Sequence, residues 1–175
     1  MNAMVPVLLM AAATTLTVPL GLDALVPSPD DNPLTREKAA LGRKLFFDKR
    51  LSLDRSISCA TCHDPARAFT DAQPLAVGVR GQHGSRRTPA IFNRAWGKSF
   101  FWDGRAASLE DQVVQPILNK LEMDLSMVEA VRRLGEAPSY EAEFQAVFGR
   151  ALNDVDLRRA LASYVRTIVA GDSAY

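Results

Sequence analysis

Apolar side chains recur at helical spacing in residues 35–48 and again from residue 108 onward. Leu41, Leu45 and Phe46 share one face, Glu37 stands in the first turn and Thr35 precedes it, which predicts a first helix from Thr35 to Asp48. Ser108-Leu109-Glu110-Asp111 has the form of a capping box and predicts a short helix ending before Pro116. Ser126-Met127-Val128-Glu129 repeats the form for a helix to Leu134. Ser139 is read as the cap of a segment presenting Tyr140, Phe144, Val147 and Phe148 on one face, stopped by Gly149. Asn153 opens the longest helix, with Leu157, Leu161, Val165 and Ile168 as its stripe and Gly171 as its stop. No stretch alternates with period two for long enough to make a sheet, so the expected fold class is all-α.

Two stretches break this pattern. Residues 64–100 have neither period and carry Gly78, Gly81, Gly84 and Pro89, which predicts a long irregular segment; loops of that length in a compact domain usually carry function or are disordered. Residues 1–22 contain no charged side chain, and the apolar run from Val5 to Ala13 reads as an export signal or an uncleaved anchor, with a buried N-terminal helix as the third reading. No Lys or Arg precedes the run, and no small-residue cleavage site is clear. Residues 23–33, which include Pro27, Pro29 and Pro33, read as a linker, and 34–175 as one domain.

Composition narrows the function. The chain has 175 residues, 47% of them hydrophobic and 23% charged, enough for one buried core. Lys and Arg total 21 against 20 for Asp and Glu, so no nucleic acid or anionic membrane partner is expected.

With only 2 Cys and 2 His in the chain, the run Cys59-Ala60-Thr61-Cys62-His63 calls for a chemical reason. Two thiols on one helical turn reach the two vinyl groups of a haem, and the next imidazole meets the iron. A zinc site would need a second ligand pair, and the remaining His83 with no further Cys does not supply one. A redox dithiol would need a βαβ context that is absent. One covalent haem c is therefore expected, with Cys59, Cys62 and His63 as its residues and His63 as the iron ligand. Wrapping that haem would give 64–100 apolar surface on which to order. A sixth ligand could come from His83, Met123 or Met127, and two strong axial ligands would make an electron carrier, whereas an open position would admit peroxide.

The runs LGRKLFFDKRLS, ISCATCHDPARAFTD, FFWDGRAASLEDQ and LEMD resemble the N-terminal haem domain of the bacterial di-haem cytochrome c peroxidase family, whose relatives include MauG-type enzymes. The similarity covers about residues 32–175. It implies a cytochrome c-like fold and a haem whose distal face binds hydrogen peroxide. It also implies a distal amide at Gln112, a catalytic carboxylate at Glu122, and a Trp between two haems at Trp102. Those residue types suit the chemistry: a carboxylate moves a proton between the two oxygens, an amide donates to the departing oxygen, and an indole offers a path for electrons.

The chain departs from the family at Val79, where many members carry a His that caps the resting iron, and at Arg87, where the calcium site takes an Asn; calcium is therefore doubtful. The family's second haem domain has no counterpart here, which implies a piece of a longer protein or a partner that refills the site. The expected function is a periplasmic peroxidase domain that reduces hydrogen peroxide with electrons from a small cytochrome c or cupredoxin. The alternatives are a mono-haem electron carrier and a MauG-like enzyme that oxidises a protein through Trp102.

Overall fold

A computed structural model describes residues 16–172 and residue 174. Its regular structure is helical: α1 (Arg36–Phe46), α2 (Cys59–Cys62), α3 (Leu109–Gln112), α4 (Val114–Leu118), α5 (Met127–Gly135), α6 (Pro138–Phe148) and α7 (Asp154–Arg166). Among the described residues no β-strand forms; the bridges Asp64–Thr70, Val77–His83 and Phe100–Ala106 are isolated. The fold is all-α and cytochrome c-like, as the periodicity and the resemblance imply. The run Val5–Ala13 lies outside the described residues.

The frame is the crossing of α1 over α7. Leu41, Leu45 and Phe46 bury the face that the sequence marks, against Leu157, Leu161 and Val165. The two helices touch through backbone at Gly42, where a Cβ would lie 1.9 Å from the Ala160 carbonyl oxygen and 2.9 Å from Tyr164 Cβ. Any larger residue there would force the helices apart. Tyr164 closes the crossing with an edge-to-face contact on Phe46, ring centroids 5.1 Å apart.

Caps explain most helix starts. Thr35 accepts from the Lys38 amide, Ser126 from Glu129 and Asn153 from Asp156. Three boundaries differ from expectation. The helix opened by Ser108 does not end before Pro116: α3 stops at Gln112 and α4 runs through Pro116, which sits in the first turn of the new helix, where its missing N–H costs little. Ser139 lies inside α6; the cap is Ala137, and Pro138 at the first helical position presets the backbone. Helix α7 ends at Arg166 rather than running on towards Gly171. Asn93 explains this: its amide N–H donates to the Ile168 carbonyl at 2.9 Å, and its side chain bonds both backbone groups of Ala170, at 2.8 and 2.9 Å, which takes them out of helical register.

The irregular segment is ordered and reaches from Cys62 to Leu109, broken only by short 3₁₀ turns. Proline-rich residues 23–31 hold no helix, yet Asn32 is 1% exposed and donates to Glu110 at 2.6 Å and to the Arg159 carbonyl at 3.2 Å. Arg166 makes a bidentate pair with the same Glu110 carboxylate at 2.7 and 2.9 Å; Arg166 is buried and Glu110 half-buried. Burial pushes the Glu110 carboxyl up, but the hydrogen bonds from Arg166 and Asn32 outweigh it and hold it below its ordinary value. Replacing Arg166 by Leu is expected to destabilise the fold by about 1.5–3 kcal/mol, because a half-buried carboxylate loses its bidentate partner. Urea unfolding checks this; a loss under about 1 kcal/mol would mean that the pair is solvated.

Candidate functional site

Helix α2 is a single turn. It is held by the Ser58 amide donating to Thr61 Oγ1 at 2.9 Å and by the His63 amide donating to the Cys59 carbonyl at 2.8 Å. This puts both thiols on one turn with the imidazole directly after them. Both thiols are free. Burial pushes the Cys59 thiol up to about 12, with the charge of Cys62 second, and the Cys62 thiol up to about 11, with Asp71 second. Among the described residues no group of three or more His, Cys, Asp or Glu side chains forms a metal cluster.

His63 is oriented by its surroundings. Its Nδ1 lies 3.1 Å from the Phe69 carbonyl oxygen. A carbonyl can only accept, so Nδ1 carries the proton and Nε2 keeps a free lone pair, the arrangement that presents imidazole to a metal. Burial lowers the pKa of His63, and the bond to Phe69 offsets this only in part, which keeps the ring neutral. Phe69 is fixed by an edge-to-face contact with Phe92, centroids 5.4 Å apart, and nearby Asp71 accepts from Thr88 Oγ1 at 2.8 Å. A cleft of about 480 Å³, lined by Thr61, Cys62, Asp64, Asp71 and Val77 among others, opens beside Cys62.

The loop after Val77 joins this turn to Glu122. The Val79 amide donates to the Glu122 carbonyl at 2.8 Å, and at Gly78 a Cβ would lie 2.1 Å from the Leu121 carbonyl oxygen and 2.8 Å from Glu122 Cα. The two segments are in backbone contact, and the Glu122 charge acts on both Cys59 and Cys62. Burial raises the Glu122 carboxyl above its ordinary value, opposed by a hydrogen bond from Asn119 and by the charge of Arg105. Its side chain lines a cleft of about 210 Å³ together with Phe101, Arg105, Gln115, Leu118 and Asn119.

Other sequence-marked residues are dispersed. Gln112 ends α3 half-buried, and the amide lining the Glu122 cleft is Gln115. Trp102 is 74% exposed, with the Arg86 guanidinium 6.0 Å from its ring. His83 and Arg87 are exposed, Met127 is half-buried, and Met123 and Val79 are in the core. Asn119, Arg105 and the Phe69 carbonyl were not singled out from sequence. The Asn119-x-x-Glu122 spacing could have marked the first, but a carbonyl is common to every residue and leaves no signal.

The profile of the family described as di-haem cytochrome c peroxidase matches residues 36–175. The methylamine utilization protein MauG of Methylorubrum extorquens is 46% identical over 152 residues, 86% of this chain and 43% of that protein. Cytochrome c peroxidase Ccp of Escherichia coli is 35% identical over 150 residues, 85% of this chain and 32% of that protein. The crystal structure of a MauG-like protein associated with microbial copper homeostasis superposes with a TM-score of 0.79 at 31% identity, covering 88% of this chain and 47% of that one. The chain thus spans less than half the length of these relatives.

Proposed function

Because the chain belongs to the di-haem cytochrome c peroxidase family, we propose that it is a peroxidatic haem domain that reduces hydrogen peroxide to water. The observation that carries this reading is the backbone contact between Gly78–Val79 and Leu121–Glu122, which sets a half-buried carboxylate beside the Cys59–His63 turn.

The residues fit a haem c. Cys59 and Cys62 would form the thioether links, and His63 would ligate iron through Nε2. When bound, the haem supplies the iron coordination site and the redox chemistry for breaking the O–O bond. Glu122 takes the proton of the inner peroxide oxygen and returns it to the outer one. By the resemblance Gln112 donates to the oxygen that leaves, where negative charge develops, while the amide that lines the Glu122 cleft itself is Gln115. Two electrons and two protons convert one peroxide into two waters. The electrons come from a small cytochrome c or cupredoxin, relayed by a second haem domain, with exposed Trp102 as the exit or entry point. The protein works in the periplasm, with the run Val5–Ala13 as its signal or anchor; among the described residues no helix is long and apolar enough to cross a membrane. Calcium is no part of the proposal, since Arg87 brings a cation to the position of the family's Asn.

Made in a host that matures c-type cytochromes, the protein is expected to show a high-spin ferric spectrum that peroxide changes within seconds. A six-coordinate low-spin spectrum indifferent to peroxide at every redox level would overturn the reading and favour an electron carrier. A MauG-like activity, oxidation of a protein through Trp102, is the second reading; the exposure of that indole and the 46% identity to a MauG support it.

A further inference from the structure

The turn that presents Glu122 is built on one residue. Asn119 Oδ1 accepts from the Leu121 amide at 3.0 Å, and the Asn119 carbonyl accepts from the Glu122 and Asp124 amides, both at 3.0 Å. Its Nδ2 donates to Glu122 Oε1 at 2.7 Å. The first three bonds shape the backbone, and an Asp would make them equally well, because an Asx turn needs only the side-chain oxygen. The fourth needs an amide. It fixes Oε1 and leaves Oε2 without a hydrogen-bond partner among the described residues.

We propose that Asn119 is a positioning residue for the peroxide reaction: its amide N–H holds the Glu122 carboxylate in one orientation and leaves Oε2 to exchange the proton. The proposal rests on the reading of Glu122 as the base. Asn119 lines the same cleft, and the charged group facing Glu122 across it is Arg105. The loop at Gly78–Val79 presents backbone, the Cys59 and Cys62 sulfurs are uncharged as thioethers, and on the flank Asp124 is paired with Arg80.

The test compares N119D, N119A and E122Q in the haem-loaded protein, measuring the second-order rate with peroxide against pH together with the thermal midpoint. N119D keeps the turn acceptor but replaces the donor by a second carboxylate. It is expected to melt like the parent yet react about 10- to 100-fold more slowly, the effect of a misplaced reacting group. Its acid limb should also lie at higher pH, because a like charge disfavours ionised Glu122. N119A, which loses the turn acceptor as well, should slow the reaction and melt lower; N119S, which keeps a side-chain oxygen for the turn but is too short to hold the carboxylate, serves in place of N119D if the latter does not fold. A parental rate and pH profile in N119D alongside a slow E122Q would show that Asn119 only shapes the turn and would overturn the proposal. A parental rate in E122Q would remove the base itself, and the proposal with it.

Discussion

Replacing Cys59 and Cys62 together by alanine is expected to give a chain that carries no covalent haem. The two sulfurs sit on one turn and are the only cysteines in the sequence, so no other side chain can form a thioether. His63 remains, oriented by the Phe69 carbonyl, but a single imidazole–iron bond is reversible and does not survive denaturation. The loss should extend to the fold. Between Cys62 and Leu109 the chain has no α-helix and is ordered through isolated bridges and turns, and Phe69, Ile91 and Phe92 are only partly buried by protein. A bound porphyrin would cover their remaining apolar surface, at about 25 cal/mol for each Å² removed from water. Acid–acetone extraction and a haem stain after denaturing electrophoresis check the first expectation, and amide hydrogen exchange over 64–108 checks the second. A chromophore that resists extraction in the double variant would end the attachment reading.

The second large effect is expected at Glu122. Glu122→Gln keeps the shape of the side chain and an oxygen to accept from Asn119, but removes the base; the rate with peroxide should fall about 10²- to 10⁴-fold while the resting ferric spectrum stays the same. The pH dependence has a definite sign. The working form is the ionised carboxylate, and burial raises its pKa, so activity is lost as pH falls through a value above the ordinary carboxylate range. Stopped-flow rates across the acid range check this. An acid limb unchanged in Glu122→Gln would assign the titration to another group.

Much of the architecture was legible because it rests on local rules. Thr35, Ser126 and Asn153 cap the helices that their sequence contexts mark, and the α1 stripe faces the core. Where local reading fell short, a distant residue had intervened. Asn93 draws off the backbone after α7, and the break at Val113 lets Pro116 begin a helix instead of ending one. Nothing in the local sequence marks Gly42 as a contact; only the Ala160 carbonyl packed against it does.

The site divides in the same way. The proposed haem attachment is written in five consecutive residues, because the vinyl spacing matches one helical turn and the ligand must follow at once; the sequence alone therefore carries the whole case for the attachment site, and its helical periodicity determined the all-α class. Glu122 stands far along the chain from the Cys59–His63 turn and reaches it only through the crossing at Gly78, and the imidazole tautomer depends on the Phe69 carbonyl. These belong to the tertiary structure, because backbone groups carry no residue-specific signal and contacts between distant segments leave none in either segment alone.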